Sequence, residues 1–219
     1  MIRAVLLDFD GTLVDTERLQ WTAYEQALAP FGVHVGLDEY RRHFIRAAGG
    51  SDWVCRRYAL PVAPDELRAR KAAAYRALIP AGVRPCAGAG ELLQRLAGRR
   101  LLAVVTNSVR AEVDVILAHL GWTHGFDAVI AREDYVHAKP APDGYLVAAA
   151  RLGCAPHECV VVEDTERGVR AGLAAGMRVV AVPSDLTYDN DFSGCVRRLD
   201  SLTSLTETLL DQIDRDGCS

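Results

Sequence analysis

Four short apolar runs stand out along the chain because no polar residues alternate within them. They cover residues 4–7, 101–105, 159–162 and 179–182 and consist almost entirely of valine, leucine and alanine. Uninterrupted runs of this length are typical of parallel strands that are buried on both faces. A fifth and weaker run covers residues 128–130. We therefore expect these segments to form one parallel sheet.

Amphipathic segments with helical spacing separate the later runs. They cover residues 89–97, 110–119, 145–152 and 168–175. Strands that alternate with helices of this length predict an α/β fold whose core is a doubly wound, Rossmann-like parallel sheet. At the end of the chain, the pattern predicts a closing helix over residues 199–210 and a frayed segment over residues 211–219.

The distance between the first two strong runs departs from this alternation. About ninety residues separate them, with helical patterns over 18–29, 37–47 and 64–79 but no strand-like run. The simplest arrangement is a helical domain over residues 16–82, inserted into a core made of residues 1–15 and 83–219.

Composition narrows the class of protein. The 219 residues are 50% hydrophobic and 25% charged, and 25 Lys and Arg against 29 Asp and Glu give a net charge of −4. These values favour a folded globular protein over a disordered, collagen-like or general nucleic-acid-binding chain. No apolar run approaches the ~18 residues of a membrane helix. We therefore expect neither nucleic acid nor a membrane as a partner.

The cysteines and the N-terminus indicate a compartment. Six cysteines, at positions 55, 86, 154, 159, 195 and 218, show no tight repeated spacing, and the chain starts without a basic leader and an apolar signal segment. Reduced, packed thiols and a cytoplasmic location are the expectation that follows.

Polar residues with catalytic potential directly follow three of the apolar runs. Asp8 and Asp10 come after the first run, Thr106 comes after the second, and Glu163 and Asp164 come after the run at 159–162. Ligands of open parallel sheets bind beyond the carboxyl ends of the strands, so we expect these side chains to meet there. The alternative is that they only cap helices and form turns.

Such a group of carboxylates predicts a metal site. Clustered carboxylates repel one another, and their pKa values rise unless a cation lies among them. Mg²⁺ suits the group because it takes hard oxygen ligands, often uses only one or two carboxylates, and leaves room for a phosphate oxygen. The Thr106 hydroxyl and neighbouring backbone N–H groups would donate hydrogen bonds to that phosphate.

Four motifs in fixed order carry a family resemblance. They are Asp8-Phe9-Asp10-Gly11-Thr12-Leu13, Thr106-Asn107-Ser108, Lys139-Pro140-Ala141-Pro142-Asp143 and Glu163-Asp164-Thr165 with Gly168 and Gly172 after it. They resemble the motifs of the haloacid dehalogenase superfamily, and the resemblance spans residues 4 to 182. The helical insertion after the first motif is similar to that of the beta-phosphoglucomutase-like phosphatases, which implies a helical cap on the catalytic core.

The resemblance implies a catalytic role for four residues. Asp8 would attack phosphorus and form an aspartyl-phosphate. Asp10 would protonate the leaving oxygen and then activate the hydrolytic water. Thr106 and Lys139 would complete the catalytic set.

The resemblance also implies which residues bind phosphate and metal. Asn107 and Ser108 would contact the phosphate. The implied Mg²⁺ ligands are Asp8, the backbone carbonyl of Asp10, Asp164 and, directly or through water, Glu163.

Lysine is rare in this chain, which makes its positions informative. Only Lys71 and Lys139 occur among the 25 basic residues, and all the others are arginine. A retained lysine suggests that a compact point charge is needed where a guanidinium would not fit. Lys139 lies where the family places a lysine at the phosphoryl group, and Lys71 lies where the sugar phosphomutases present one to the distal end of the substrate. Both could instead be solvated surface residues.

Two positions separate activities within the superfamily. Asp10 argues against a dehalogenase, since a departing alkoxide needs a proton and a halide does not. Gln20, a candidate substrate contact, stands where the mutases carry histidine, which favours a hydrolase.

We therefore predict a Mg²⁺-dependent phosphatase that acts on a small phosphorylated metabolite, a sugar phosphate, and that is a monomer or weak homodimer. A beta-phosphoglucomutase-type enzyme and a non-catalytic binding protein on the same fold are the alternatives.

Overall fold

The protein is built on one parallel sheet. A computed structural model describes residues 1–47 and 49–216. The strands are β1 (Ala4–Leu7), β2 (Leu101–Val105), β3 (Ala128–Ile130), β4 (Cys159–Glu163), β5 (Arg178–Ala181) and β6 (Arg197–Arg198). They lie in the order β3–β2–β1–β4–β5–β6, every neighbouring pair is parallel, and helices cover both faces. The predicted α/β class is confirmed.

The sheet register brings the ends of the three central strands together. In β1, Leu7 lies opposite Val104 of β2 on one side and Val162 of β4 on the other. All four residues of β1 are fully buried, as expected for a strand between two helical layers. The residues that follow β1, β2 and β4 therefore leave the sheet side by side.

The chain forms two compact units. One contains Met1–Val14 and the chain from Pro85 onward, and the other is Asp15–Arg84. Within the first unit, Val14 and Pro85 form a β-bridge, and the Cys86 N–H donates to the Leu13 carbonyl at 2.9 Å. The chain therefore leaves the first unit and returns to it at neighbouring points.

The second unit is helical. Its helices are α1 (Glu17–Leu28), α2 (Leu37–Tyr40), α3 (Ser51–Arg57) and α4 (Pro64–Gly82). α1 packs along α4, and a π-helix, Arg41–Arg46, continues α2. The helical pattern over 37–47 is thus present as a helix, whose second half is a π-helix and not an α-helix. α3 was not predicted, because two turns are too short to show a period.

Aromatic contacts explain how α3 is held. Phe44, in the π-helix, packs edge-on against Trp53 of α3 with ring centroids 5.5 Å apart, and it also contacts Tyr24 at 4.6 Å and Tyr40 at 5.0 Å. Such aromatic pairs contribute beyond the area they bury. A short helix with little periodicity of its own is thus fixed by tertiary packing.

Four helices of the first unit lie close to their predicted positions. They are α5 (Ala89–Leu96), α6 (Arg110–His119), α7 (Asp143–Arg151) and α8 (Glu166–Ala174). A fifth, α9 (Glu207–Asp216), departs from its prediction. Within the two described ranges, no helix is both long enough and apolar enough to cross a bilayer.

The C-terminal helix starts later than predicted. The segment expected to be a helix over 199–210 is mostly a turn and a 3-10 helix, Leu202–Ser204, whereas part of the segment expected to fray forms α9. Arg100 explains this, because its guanidinium bonds to Glu207 and Asp211 of α9, each at 2.8 Å. The rest of the predicted frayed segment, residues 217–219 with the cysteine at 218, lies outside the described residues.

The sixth strand was also not predicted. β6 consists only of Arg197 and Arg198 and lies at the edge of the sheet beside β5. Short charged strands are typical sheet edges because they discourage further pairing. Their sequence carries no apolar run that could reveal them.

Candidate active site

The ends of β1, β2 and β4 place most of the predicted site residues in one region. Asp8 follows β1, Thr106 follows β2, Glu163 is the last residue of β4, and Asp164 follows it. Asp8, Thr106 and Lys139 are each less than a tenth exposed, and Glu163 and Asp164 are fully buried. Polar groups that are buried this deeply need partners.

Lys139 provides the central contacts of the site. Its ammonium donates to Asp8 Oδ1 (2.5 Å), to Glu163 Oε1 (2.6 Å) and to the Val105 carbonyl oxygen (2.8 Å). An ammonium has three protons to donate, so these three contacts use all of them. Lys139 is thus fixed between the strand ends rather than solvated at the surface.

The charges of this group shift one another's proton affinity. Burial and the nearby Glu163 carboxylate raise the pKa of Asp8 to about 8, although Lys139 acts in the opposite direction. Burial lowers the pKa of Lys139, but the carboxylates of Asp8 and Glu163 outweigh it and the pKa is raised. One ammonium cannot balance Asp8 and Glu163 when both are ionised, so the ionised pocket has an excess of negative charge, which a proton or a cation would offset.

That excess suits a cation. Asp8, Glu163 and Asp164 each offer a carboxylate oxygen within 4.8 Å of the others, and all three residues are buried. Gly11, with a φ of +83°, leaves the space beside Asp164 open: a Cβ there would lie 2.3 Å from Asp164 Oδ2. Buried carboxylate oxygens are the donors that a hard divalent cation prefers. The residues present therefore fit a metal of this kind.

Asp10 has different surroundings from Asp8. It is half-buried, and its Oδ2 accepts from the hydroxyls of Ser108 (2.6 Å) and Thr106 (3.2 Å). The Thr106 hydroxyl in turn accepts from the Ser108 N–H at 3.0 Å. Two carboxylates only two residues apart are therefore held by different groups, one by a lysine and the other by hydroxyls.

Asn107 is oriented by the loop that carries Lys139. Its Oδ1 lies 3.1 Å from the donating Lys139 N–H and 2.8 Å from the Tyr135 hydroxyl, which also lies 2.6 Å from the Thr106 carbonyl oxygen. With Oδ1 directed at these donors, the Asn107 amide nitrogen faces away from them.

Two tyrosines at the site were not among the predicted residues. Tyr135 contacts Asn107, and Tyr145, in the first turn of α7, donates from its hydroxyl to Glu163 Oε1 at 2.7 Å. Tyr145 comes two residues after the end of the Lys139-Asp143 motif, so its position in the sequence was the available signal. A tyrosine in an amphipathic segment is indistinguishable from a core residue until its hydroxyl partner is known.

The two remaining predicted residues lie in the second unit. The Lys71 ammonium, on α4, donates to the Gln20 side-chain oxygen on α1 and lies 4.8 Å from the centroid of the Tyr75 ring. Both residues are half-buried. Gln20 and Lys71 thus form a pair with each other inside the helical unit.

Comparison with known proteins places the chain in a family. The family model of haloacid dehalogenase-like hydrolases matches residues 2–176. Fructose-1-phosphate phosphatase YqaB of Escherichia coli K12 is 36% identical over 183 residues, which are 81% of this chain and 95% of that protein. These matches confirm the resemblance that the four motifs carry.

Solved structures agree with the sequence match. CbbY from Rhodobacter sphaeroides, in a crystal structure with phosphate, superimposes with a TM-score of 0.86 at 29% identity, covering 96% of this chain and all of that one. A CbbY variant in complex with xylulose-(1,5)bisphosphate gives a TM-score of 0.84 at 28% identity, covering 94% and 96%. With the fold, the four motifs and these matches in agreement, the chain belongs to the haloacid dehalogenase-like hydrolases.

Proposed function

We propose that this protein is a Mg²⁺-dependent phosphatase that hydrolyses a sugar phosphate through an aspartyl-phosphate on Asp8. The observation that carries the proposal is the contrast between two neighbouring carboxylates. Asp8 is buried against Lys139, whereas Asp10 is half-buried and bonded to the hydroxyls of Ser108 and Thr106. A nucleophile and a general acid need such different surroundings.

Asp8 and Asp10 would share two displacement steps. In the first, an Asp8 carboxylate oxygen bonds to phosphorus, the ester P–O bond breaks, and the departing sugar oxygen takes a proton from Asp10. In the second, Asp10 takes a proton from water as the water oxygen bonds to phosphorus. The bond to Asp8 then breaks, and inorganic phosphate and the free carboxylate result. Splitting the displacement in this way replaces one difficult step with two easier ones.

The residues around Asp8 would bind the phosphoryl group. Lys139 supplies a fixed positive charge at the nucleophile, and Thr106, Asn107 and Ser108 supply hydroxyl, amide and backbone donors at the end of β2. Donors that are already held in place stabilise developing charge without reorganisation. We assign Thr106 and Lys139 to catalysis, and Asn107 and Ser108 to phosphate binding.

The acidic cluster would hold the metal. Asp8, Asp164 and the backbone carbonyl of Asp10 are the proposed ligands of Mg²⁺, and Glu163 lies in the same cluster. When bound, the ion supplies positive charge that offsets carboxylate and phosphate repulsion.

The relatives suggest the substrate class. YqaB is named for fructose 1-phosphate, and a CbbY structure contains xylulose-(1,5)bisphosphate. Both compounds are ketoses esterified with phosphate at the first carbon. We propose a ketose phosphate of this kind for the present chain. Gln20, which replaces the histidine of the mutases, supports hydrolysis over phosphate transfer between sugar positions.

The helical unit would act as a cap that selects the substrate. We propose this role for residues 16–82, with Lys71 and Gln20 as the contacts for the distal part of the sugar phosphate. Closure over a bound substrate would exclude bulk water from the phosphorylated aspartate until hydrolysis.

A substrate screen tests the proposed function. Fructose 1-phosphate, xylulose 1,5-bisphosphate, glucose 1-phosphate, glucose 6-phosphate, phosphoglycolate and a nucleotide are incubated with the protein, with Mg²⁺ or with EDTA, and phosphate release is measured. We expect Mg²⁺-dependent release, fastest from a ketose 1-phosphate. Conversion of glucose 1-phosphate to glucose 6-phosphate without release would identify a mutase instead, and no turnover of any ester would contradict an enzymatic role.

We also propose a cytoplasmic monomer or weak homodimer. The five described cysteines are free thiols, which agrees with a reducing compartment. Light scattering over a range of protein concentrations measures the oligomeric state, and a mass equal to a stable trimer or larger assembly would contradict the proposal.

A further inference from the structure

Glu163 is a buried carboxylate whose oxygens are both bonded to the protein. Oε1 accepts from the Lys139 ammonium at 2.6 Å and from the Tyr145 hydroxyl at 2.7 Å. Oε2 lies 3.2 Å from the Thr165 hydroxyl and 3.4 Å from the Thr165 N–H. A carboxylate has about four lone-pair directions, so these contacts engage the whole group. Glu163 is therefore held as a counter-ion of Lys139.

The backbone is shaped around this carboxylate. Gly168, at the start of α8, lies so close that a Cβ on it would fall 1.8 Å from Glu163 Oε1. No side chain can occupy that position unless the carboxylate moves. The location of the Glu163 oxygens is thus set on one side by α8 and on the other by Lys139 and Tyr145.

Lys139 transmits this constraint to the nucleophile. All three of its donors are engaged, and the same ammonium contacts Glu163 Oε1 at 2.6 Å and Asp8 Oδ1 at 2.5 Å. A shift of Glu163 therefore changes how the ammonium meets Asp8. The face of the Tyr145 ring also lies 4.8 Å from the Lys139 nitrogen, within the range of a cation–π contact. Tyr145 therefore contacts both members of the Glu163–Lys139 pair.

Tyr145 has no other polar partner among the described contacts of its hydroxyl. It is fully buried and packs in the same hydrophobic cluster as Val105 and Val161 of the sheet. Filling the core requires only the ring, and a phenylalanine would do so equally well. The hydroxyl has a separate use, because it donates to a charged acceptor, and such bonds are stronger than neutral ones.

We propose that Tyr145 is a positioning residue that acts on Asp8 through Glu163 and Lys139. Its hydroxyl and ring hold the Glu163–Lys139 pair at the distance from which Lys139 reaches the nucleophile. The kinetic part of this proposal rests on the proposed phosphatase function, whereas the geometric part does not.

Tyr145→Phe is the direct test, because it removes the hydroxyl and keeps the ring. Loss of one hydrogen bond to a charged group corresponds to about 10-fold to 100-fold in rate. We expect kcat on the best substrate to fall by that factor, with KM and the Mg²⁺ dissociation constant from calorimetry each within about 2-fold. An unchanged kcat, or a fall explained by weaker Mg²⁺ binding, would overturn the proposal.

Because the chain has only two lysines, the state of Lys139 can be followed by NMR without an assay of activity. Labelling the protein with ¹⁵N-lysine yields only two side-chain ammonium signals, from Lys71 and Lys139, and a Lys71→Arg sample assigns them. In Tyr145→Phe, we expect the Lys139 signal to shift and its protons to exchange faster with water, while the Lys71 signal stays in place. A Lys139 signal that is unchanged would mean that Tyr145 only fills space.

Tyr40→Phe is the matched control. Tyr40 is a buried tyrosine that donates to a glutamate, Glu17 Oε2 at 3.0 Å, but it lies in the helical unit. Its replacement removes the same type of bond and should lower the melting temperature without moving the Lys139 signal. A Lys139 shift of equal size in both variants would indicate general loosening and contradict the proposal.

A second variant, Glu163→Gln, tests the same contacts in case Tyr145→Phe does not fold. Glu163→Gln keeps the side-chain shape and removes the charge that Tyr145 and Lys139 share, so it should change the Lys139 signal in the same way and by more. If no ester is turned over by the unsubstituted protein, the phosphatase function fails, while the two ammonium signals still decide whether Tyr145 positions Lys139.

Discussion

The site at the ends of β1, β2 and β4 (the strand-end site) and the helical unit, Asp15–Arg84, differ in how far their ion pairs are buried. At the strand ends, Lys139 and Glu163 are buried and bonded to each other, and Lys139 also bonds to Asp8. In the helical unit, Arg68 pairs with Asp65 and Asp52, and all three side chains are more than half exposed. Exposed pairs contribute about 0–1 kcal/mol, whereas breaking a buried pair costs about 3–5 kcal/mol.

This difference separates two tasks. A buried and fully bonded group is fixed before any substrate arrives, which suits a reaction that needs the nucleophile in one place. Exposed or half-buried groups such as Lys71 can exchange their partners for a ligand at little cost. We therefore expect substitutions at the strand ends to alter the chemistry and substitutions in the helical unit to alter substrate preference.

Replacement of Asp8, the proposed nucleophile, should produce the largest effect. Asp8→Asn removes the attacking oxygen and should lower Mg²⁺-dependent phosphate release by about 10⁴-fold or more, since loss of a nucleophile removes the covalent route entirely. Asp38→Asn is the control from the helical unit, because its side chain is 86% exposed. It should retain activity within about 2-fold, and comparable losses in both variants would remove the distinction between the regions.

Replacement of Asp10 should cost about 10² to 10⁴-fold, the usual range for a general acid or base. With p-nitrophenyl phosphate, the leaving group needs little help from a proton, so Asp10→Asn should still form the aspartyl-phosphate and then hydrolyse it slowly. Stopped-flow absorbance should show a burst of nitrophenol close to one equivalent of enzyme. A steady rate without a burst, at full activity on sugar phosphates, would rule out the role of Asp10.

The strand ends were also the more predictable region. Continuous apolar runs identified five of the six strands, and the polar residues directly after them, such as Asp8 and Thr106, could be assigned to one edge because parallel strands share a direction. Polar residues directly after the central strands could thus be assigned to one region from the sequence alone.

Contacts between distant side chains were not predictable in this way. That the Tyr145 hydroxyl meets Glu163, or that Gly168 lies against the same carboxylate, depends on how α7 and α8 pack on the sheet. In the helical unit, α3 and the π-helix form because Trp53 and Phe44 pack on each other, and periodicity in the sequence carries no such information.

The contrast between buried and exposed pairs can be measured as stability. Lys139→Ala leaves Asp8 and Glu163 buried without their counter-ion and should lower the free energy of unfolding by about 3–5 kcal/mol. Arg70→Ala breaks the exposed pair with Glu66 (2.8 Å) and should cost about 0–1 kcal/mol. Urea unfolding in EDTA measures both variants without bound metal. Equal losses would show that burial at the strand ends is not what distinguishes the two regions.

Lys71 should give the smallest effect and the one most confined to substrate choice. Its ammonium is bonded to Gln20 and lies over the Tyr75 ring, so Lys71→Met should leave the fold and kcat nearly unchanged. For a bisphosphate or other substrate with a second acidic group, KM should rise about 10-fold, the effect of one partly solvated charged contact. For a monophosphate without such a group, KM should change less than 2-fold. Arg76→Met removes an exposed positive charge from the same helix and controls for long-range attraction. If both variants raise KM equally, or if neither does so for any substrate, Lys71 is a surface lysine, and the distal end of the substrate is recognised elsewhere.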